Sequence, residues 1–152
     1  MSDKKTPWNP SKSAVKRVKD PAPVIWECHY CQNPVTITQN KGIYGRNYGD
    51  WPWVYMCIKC AAYVGMHPFT NIPLGTLADA KTREARKRAK TVFLLLYKKE
   101  GLARTKAYEV LALRMGIPAS ECHFGMFTPS QCGIAYQCSK QILVDLKMGV
   151  VF

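Results

Sequence analysis

At 152 residues the chain has material for one modest core and not for two independent ones. A composition of 47% hydrophobic and 21% charged residues describes a globular body and excludes a disordered polyelectrolyte, while a net charge of +12 favours acidic partners. Nucleic acid is the commonest such partner, although an anionic membrane or an acidic protein surface satisfies the same field. Met1-Ser2-Asp3-Lys4-Lys5 leads into no apolar run, so a secretory signal is not expected. The longest aliphatic and aromatic run, Val92 to Tyr97, is too short to span a bilayer. The expectation is a soluble protein made in a reducing cytosol. There, seven cysteines point to metal before disulfides.

Residues 1–23 place Lys4, Lys5, Lys12, Lys16, Arg17 and Lys19 against Asp3 and Asp20, with Pro7, Pro10, Pro21 and Pro23 interrupting any helix. The segment reads as a mobile basic arm. It serves either to seek phosphates or simply to solvate the terminus.

From Val24 the pattern changes to short β-branched and aromatic runs: Val24–Trp26, Val35–Thr38 and Trp53–Met56, each expected as a strand. Between and after them stand Cys28-His29-Tyr30-Cys31 and Cys57-Ile58-Lys59-Cys60. Two residues between ligands let one tight turn present both sulfurs to one ion, so the doubled pair predicts a closed, tetrahedral Zn²⁺ site on Cys28, Cys31, Cys57 and Cys60. Such a site contributes folding energy and has no open position for catalysis. This is zinc-ribbon organisation over residues 24–68. A spacer of 25 residues between Cys31 and Cys57 implies a long hairpin tip carrying Lys41, Tyr44, Arg46, Tyr48 and Trp51. Its aromatics and cations suit stacking on unpaired bases. Alternatively, Trp51 and Trp53 pack over the metal knuckles.

Residues 69–152 read as three helices attached to this module in one domain, an α+β chain. The first is expected to start with Thr76 as N-cap, to run to about Glu100 and to end at Gly101. Ala85, Ala89, Val92 and Leu96 share one face of it, opposite a basic stripe of Arg83, Arg86, Lys87 and Lys90. The second helix spans roughly Ala103 to Met115 and stops at Gly116. The third begins with Thr128 as N-cap, Pro129 at the first position and Gln131 at the third, and buries Cys132, Ala135, Tyr136, Leu143 and Leu146. Cys122, His123 and Cys132 with His67 pose the question of a second metal or catalytic site, against core packing of the thiols. Neither paired carboxylates nor a phosphate-cradling glycine loop nor a nucleophile elbow is present, and no catalytic residue is assigned.

Specific words carry a resemblance. Cys57-x-x-Cys60-Ala61-Ala62-Tyr63-Val64-Gly65-x-His67-Pro68, Pro73-Leu74-Gly75-Thr76-Leu77-Ala78-Asp79, and Glu121-Cys122-His123-Phe124-Gly125-Met126-Phe127 with Cys132 resemble a zinc-finger-containing family of uncharacterised proteins found largely in bacteriophages and prophages. The similarity covers about residues 24–140. It implies a zinc finger and a phage setting, hence a bacterial host cytoplasm or association with a virion. The family often has Gly after the last cysteine and Cys before the histidine, where this chain has Ala61 and Met66.

These features together point to a binding protein with one zinc ion. The favoured partner is DNA or RNA, met through Lys16, Arg17, Lys41, Arg46 and the stripe from Arg83 to Lys90. The runner-up is a protein adaptor that docks on host or phage machinery. An enzyme using His67 and His123 stands third. No membrane or small-molecule substrate is implied.

Overall fold

The structure, a computed structural model, describes residues 4–152, so the first three residues of the basic arm lie outside the described residues. The chain divides into two compact units, one ending at Asp79 and the other beginning at Ala80.

In the first unit, helix α1 occupies Lys12–Arg17, between the prolines that were expected to prevent one. Ser11 makes it possible: its side chain accepts from the Ala14 N–H, and Ala14 is buried. The Ser11 N–H donates to the Phe69 carbonyl at 2.8 Å, which ties the segment to the rest of the unit.

Strands β1 (Val35–Gln39), β2 (Trp53–Cys57) and β3 (Tyr63–Gly65) form an antiparallel sheet in the order β1-β2-β3. Val35 pairs with Cys57 and Gln39 with Trp53, and on the other side of β2 Tyr55 pairs with Val64. The strand expected at Val24–Trp26 is reduced to one bridge, Glu27 with Pro34. The turn at Cys28 follows at once, and Trp26, 77% exposed, has no facing layer to bury it. Between β1 and β2 the chain makes a single helical turn, α2 (Lys41–Tyr44), closed by Gly45 at φ +82°.

Beyond β3, residues 66–78 double back along its outer edge. Met66 bridges Pro73, Tyr63 bridges Ala78, and the Leu74 N–H donates to the Gly65 carbonyl. The reversal is a turn at His67-Pro68-Phe69-Thr70, with Pro68 supplying its fixed φ and Phe69 held at φ +63°. The buried Thr70 hydroxyl locks it by donating to the His67 carbonyl and accepting the Ile72 N–H. The small core comprises Cys28, Tyr55, Cys57, Ala62, Val64, Met66 and Leu77, with Trp51 and Trp53 packed against it.

Helix α3 (Ala80–Lys98), α4 (Arg104–Met115) and α5 (Pro129–Lys147) build the second unit. Thr76 does not start α3. Ala78 exchanges both backbone hydrogen bonds with Tyr63, which holds residues up to 78 extended, and the helix begins only after Asp79. Gly116 ends α4 at φ +71°, and α5 opens with the reciprocal bonds between Thr128 and Gln131. Phe93, Phe124 and Phe127 form a chain of ring contacts at the centre, surrounded by Ala89, Leu96, Leu111, Ala135 and Ile142. The buried residues of α5 are Cys132, Ala135, Ser139 and Ile142, so its inner stripe is centred further round than Tyr136, Leu143 and Leu146, which are only partly buried. Ser139 does not stand out in the sequence because its side chain is polar. Its hydroxyl is buried and has no hydrogen-bond partner among the described residues, and its small size is what suits it to the inside of the helix.

Candidate metal centre

Each Cys-x-x-Cys pair folds into the same turn. In the first, the Cys28 N–H donates to the Asn33 carbonyl at 2.9 Å, and Gln32 takes φ +60°. The second repeats this one for one: the Cys57 N–H donates to the Ala62 carbonyl at 2.9 Å, and Ala61 takes φ +62°. A left-handed residue directly after the second cysteine reverses the chain around the sulfurs. Side chains other than glycine reach that conformation at a cost.

Pairing of β1 with β2 brings the two turns together, because Val35 lies opposite Cys57 and the Ile58 N–H donates to the Pro34 carbonyl at 3.1 Å. The Sγ atoms of Cys28 and Cys60 are 3.6 Å apart, those of Cys31 and Cys57 are 3.4 Å apart, and all four lie within 4.8 Å of one another. Tetrahedral Zn–S bonds of about 2.3 Å set neighbouring sulfurs about 3.8 Å apart, so the four sulfurs fit one ion. Cys28 and Cys57 are buried and Cys60 is exposed, which puts the site at the edge of the unit's core.

The surroundings of Cys31 and Cys57 favour thiolates. Asn33, through its side chain and then its backbone N–H, holds the Cys31 thiol down at about 6. Burial opposes a charge on Cys57, but the N–H groups of Cys60 and Lys59, each 3.4 Å from its sulfur, outweigh that and lower its pKa. At Cys60 the Ala62 N–H favours the thiolate, yet burial and the crowd of neighbouring sulfurs push the group up to about 12. Four sulfurs this close cannot all be charged alone, and a dication removes the conflict. The sequence does not single out Asn33. A side-chain donor two residues after a ligand cysteine is the signal that marks it.

Tyr30, inside the first turn, accepts the Asp79 N–H at 3.2 Å, bracing the turn against the end of the unit. Among the described residues, these four cysteines are the one group of metal-ligating side chains close enough to share an ion. Cys122 is buried in the aromatic core of the helical unit, and burial pushes its thiol up to about 11. Burial also raises Cys132 and Cys138, against the weaker pull of Arg86 and Arg114 respectively. These three thiols behave as small core groups. The backbone of His67 belongs to the locked turn, and the His123 carbonyl accepts the Met126 N–H at 2.8 Å. Met66 is buried in the core of its unit.

The basic residues singled out in the sequence have different surroundings. Lys16, Arg17, Lys41, Arg46, Lys87 and Lys90 are exposed. Arg83 is half-buried, and so is Arg86, whose Nε donates to the Phe127 carbonyl at 2.9 Å. The physical reason lies in the helix projection. Thr82, Ala89, Phe93 and Leu96 are the buried residues of α3, and they turn its inner face about 40° toward Arg86 relative to the alanine stripe.

A three-stranded sheet with two cysteine turns converging on one tetrahedral site defines a zinc-ribbon protein, with one structural zinc site on Cys28, Cys31, Cys57 and Cys60. The zinc-finger-containing domain family matches residues 24–142, and the chain belongs to that family. The match takes in both cysteine turns and most of the helical unit. No curated protein and no solved structure matches the chain. No helix among the described residues is long and apolar enough to cross a membrane.

Proposed function

We propose that this protein is a phage-type zinc-binding accessory or regulatory factor that binds nucleic acid in the host cytoplasm and acts by binding, not by catalysis. The observation that carries the proposal is the charge of α3. Lys81, Arg83, Arg86, Lys87, Arg88, Lys90 and Lys98 stand on it against Glu84 alone, in a chain of net charge +12. Lys16 and Arg17 on α1 are also exposed and add to the chain's positive total. A closed four-thiolate site supports a structural role for the metal.

The test is titration of the zinc-loaded protein with DNA and RNA at two salt concentrations. Binding through phosphates weakens steeply with salt. The double variant Lys87→Gln/Lys90→Gln is expected to flatten the logarithmic salt dependence by about two and to weaken binding to unrelated sequences alike. Arg86 is left in place because it holds the Phe127 carbonyl. No binding to either polymer at low salt refutes the proposal.

One observation favours a second reading, a protein adaptor. Trp26, two residues before the first cysteine turn, and Ile58, within the second, are 77% and 63% exposed. Binding that persists at high salt and is lost in Ile58→Ser favours the adaptor.

A further inference from the structure

The sequence leaves the aromatics of the β1–β2 connection either stacking on bases or packing over the knuckles, and in the structure they have different surroundings. Trp51 is anchored, its Nε1 donating to the Thr70 carbonyl at 2.9 Å, and Trp53 lies against the small core. Tyr44 and Tyr48 do not join that core. They stand edge to face with centroids 5.1 Å apart and are 50% and 47% exposed. The guanidinium of Arg46 lies 4.6 Å from the Tyr48 centroid, and Lys41 opens the same turn.

This tip is held in shape by Asn40, whose buried side chain clamps the Tyr48 backbone, accepting its N–H at 2.9 Å and donating to its carbonyl at 3.1 Å. The Asn47 side chain donates to Gln39 Oε1 at 3.0 Å. Gln39 is the register partner of Trp53, and partners across an antiparallel pair share a face. The tip therefore folds over the face of the sheet that carries Trp53. The exposed indole of Trp8 meets that same residue, perpendicular to it with centroids 5.3 Å apart, and remains 67% exposed. Trp8, Tyr44 and Tyr48 are thus partly exposed rings of one unit, Trp8 against Trp53 and the two tyrosines on the tip that folds over the same face, with Arg46 over the Tyr48 ring, Lys41 at the start of the turn and Asp50 the one carboxylate in the connection.

We propose that Trp8, Tyr44 and Tyr48, with Arg46 and Lys41, form a stacking platform for an unpaired nucleic-acid strand. This rests on the nucleic-acid reading above and adds the substrate class. A duplex already stacks its bases internally, whereas a single strand offers free base faces to exposed rings and phosphates to the cations. Clamping by Asn40 means that the platform is built before the strand arrives.

The full-length zinc-loaded protein is titrated with labelled DNA and RNA strands of about 15 nucleotides and with the matching duplexes. Single strands are expected to bind at least about tenfold tighter than duplex, and Trp8→Leu and Tyr48→Leu each to lower single-strand affinity by about tenfold. Zinc content, duplex affinity and the salt dependence remain those of the wild type, and Tyr48→Phe retains its affinity. Trp8 lies outside both core clusters, so Trp8→Leu keeps the test valid if the tip tolerates no change at Tyr48. Duplex bound as tightly as single strands, or leucine variants that bind single strands like wild type, overturn the platform and leave charge-driven binding standing. Wild type that binds neither polymer at low salt overturns both.

Discussion

Among the described residues, the core cluster of the unit that ends at Asp79 has seven buried members, and two of them, Cys28 and Cys57, are metal ligands. The hydrophobic cluster of the helical unit has thirteen buried residues, centred on Phe93, Phe124 and Phe127, and its three cysteines serve as packing groups. A chain of this length was expected to form a single core. Two clusters of side chains are buried, one that includes two of the zinc ligands and one centred on aromatic rings. The same residue type, cysteine, is a ligand where the backbone turns around it and a small hydrophobe where a helix buries it.

The largest expected effect separates the two units by their source of order. Chelation, or Cys57→Ser, removes metal binding worth about 10–16 kcal/mol in structural zinc sites. The near-ultraviolet signal of Trp51 and Trp53 is expected to collapse while the far-ultraviolet helical signal of α3, α4 and α5 persists. Acid acts in the same direction, since the ligands must be thiolates to hold the ion. Loss of the helical signal on chelation would break the comparison.

Next is the converse experiment. Phe93→Ala opens a cavity in the aromatic centre of the helical unit and is expected to cost about 3–5 kcal/mol, read from the denaturant midpoint. Zinc stoichiometry stays at one per chain. A drop in bound metal in this variant would show that the helical core also supports the site.

The smallest effects come as a matched pair, one in each unit, and both are gains. Ala61→Gly relieves the left-handed residue after Cys60 and is expected to stabilise the zinc-bound form by about 1 kcal/mol. Ser139→Ala removes a buried hydroxyl without a partner among the described residues and is expected to stabilise the helical unit by about 1 kcal/mol. Competition with a calibrated chelator reads the first and thermal unfolding reads the second. A loss of stability in either variant would mean that the residue has a role beyond its local geometry.

Signals local to a few residues determined much of this protein. Two Cys-x-x-Cys pairs on short β segments specified the zinc ligands, because ligand spacing within a turn is a property of consecutive positions. Thr128, Pro129 and Gln131 specified the start of α5, and Gly116 the end of α4, for the same reason. Tertiary structure alone decided the features whose partners lie far away along the chain. Tyr63 holds Ala78 extended and so delays α3, which no reading of Thr76 as a cap reveals. Phe127 engages Arg86 and takes it out of a stripe that charge and periodicity had made uniform. Trp8, which in the sequence belongs to a basic arm, stands against Trp53, 45 positions later, because a ring contact depends on where the sheet places its face and leaves no mark in the neighbouring sequence.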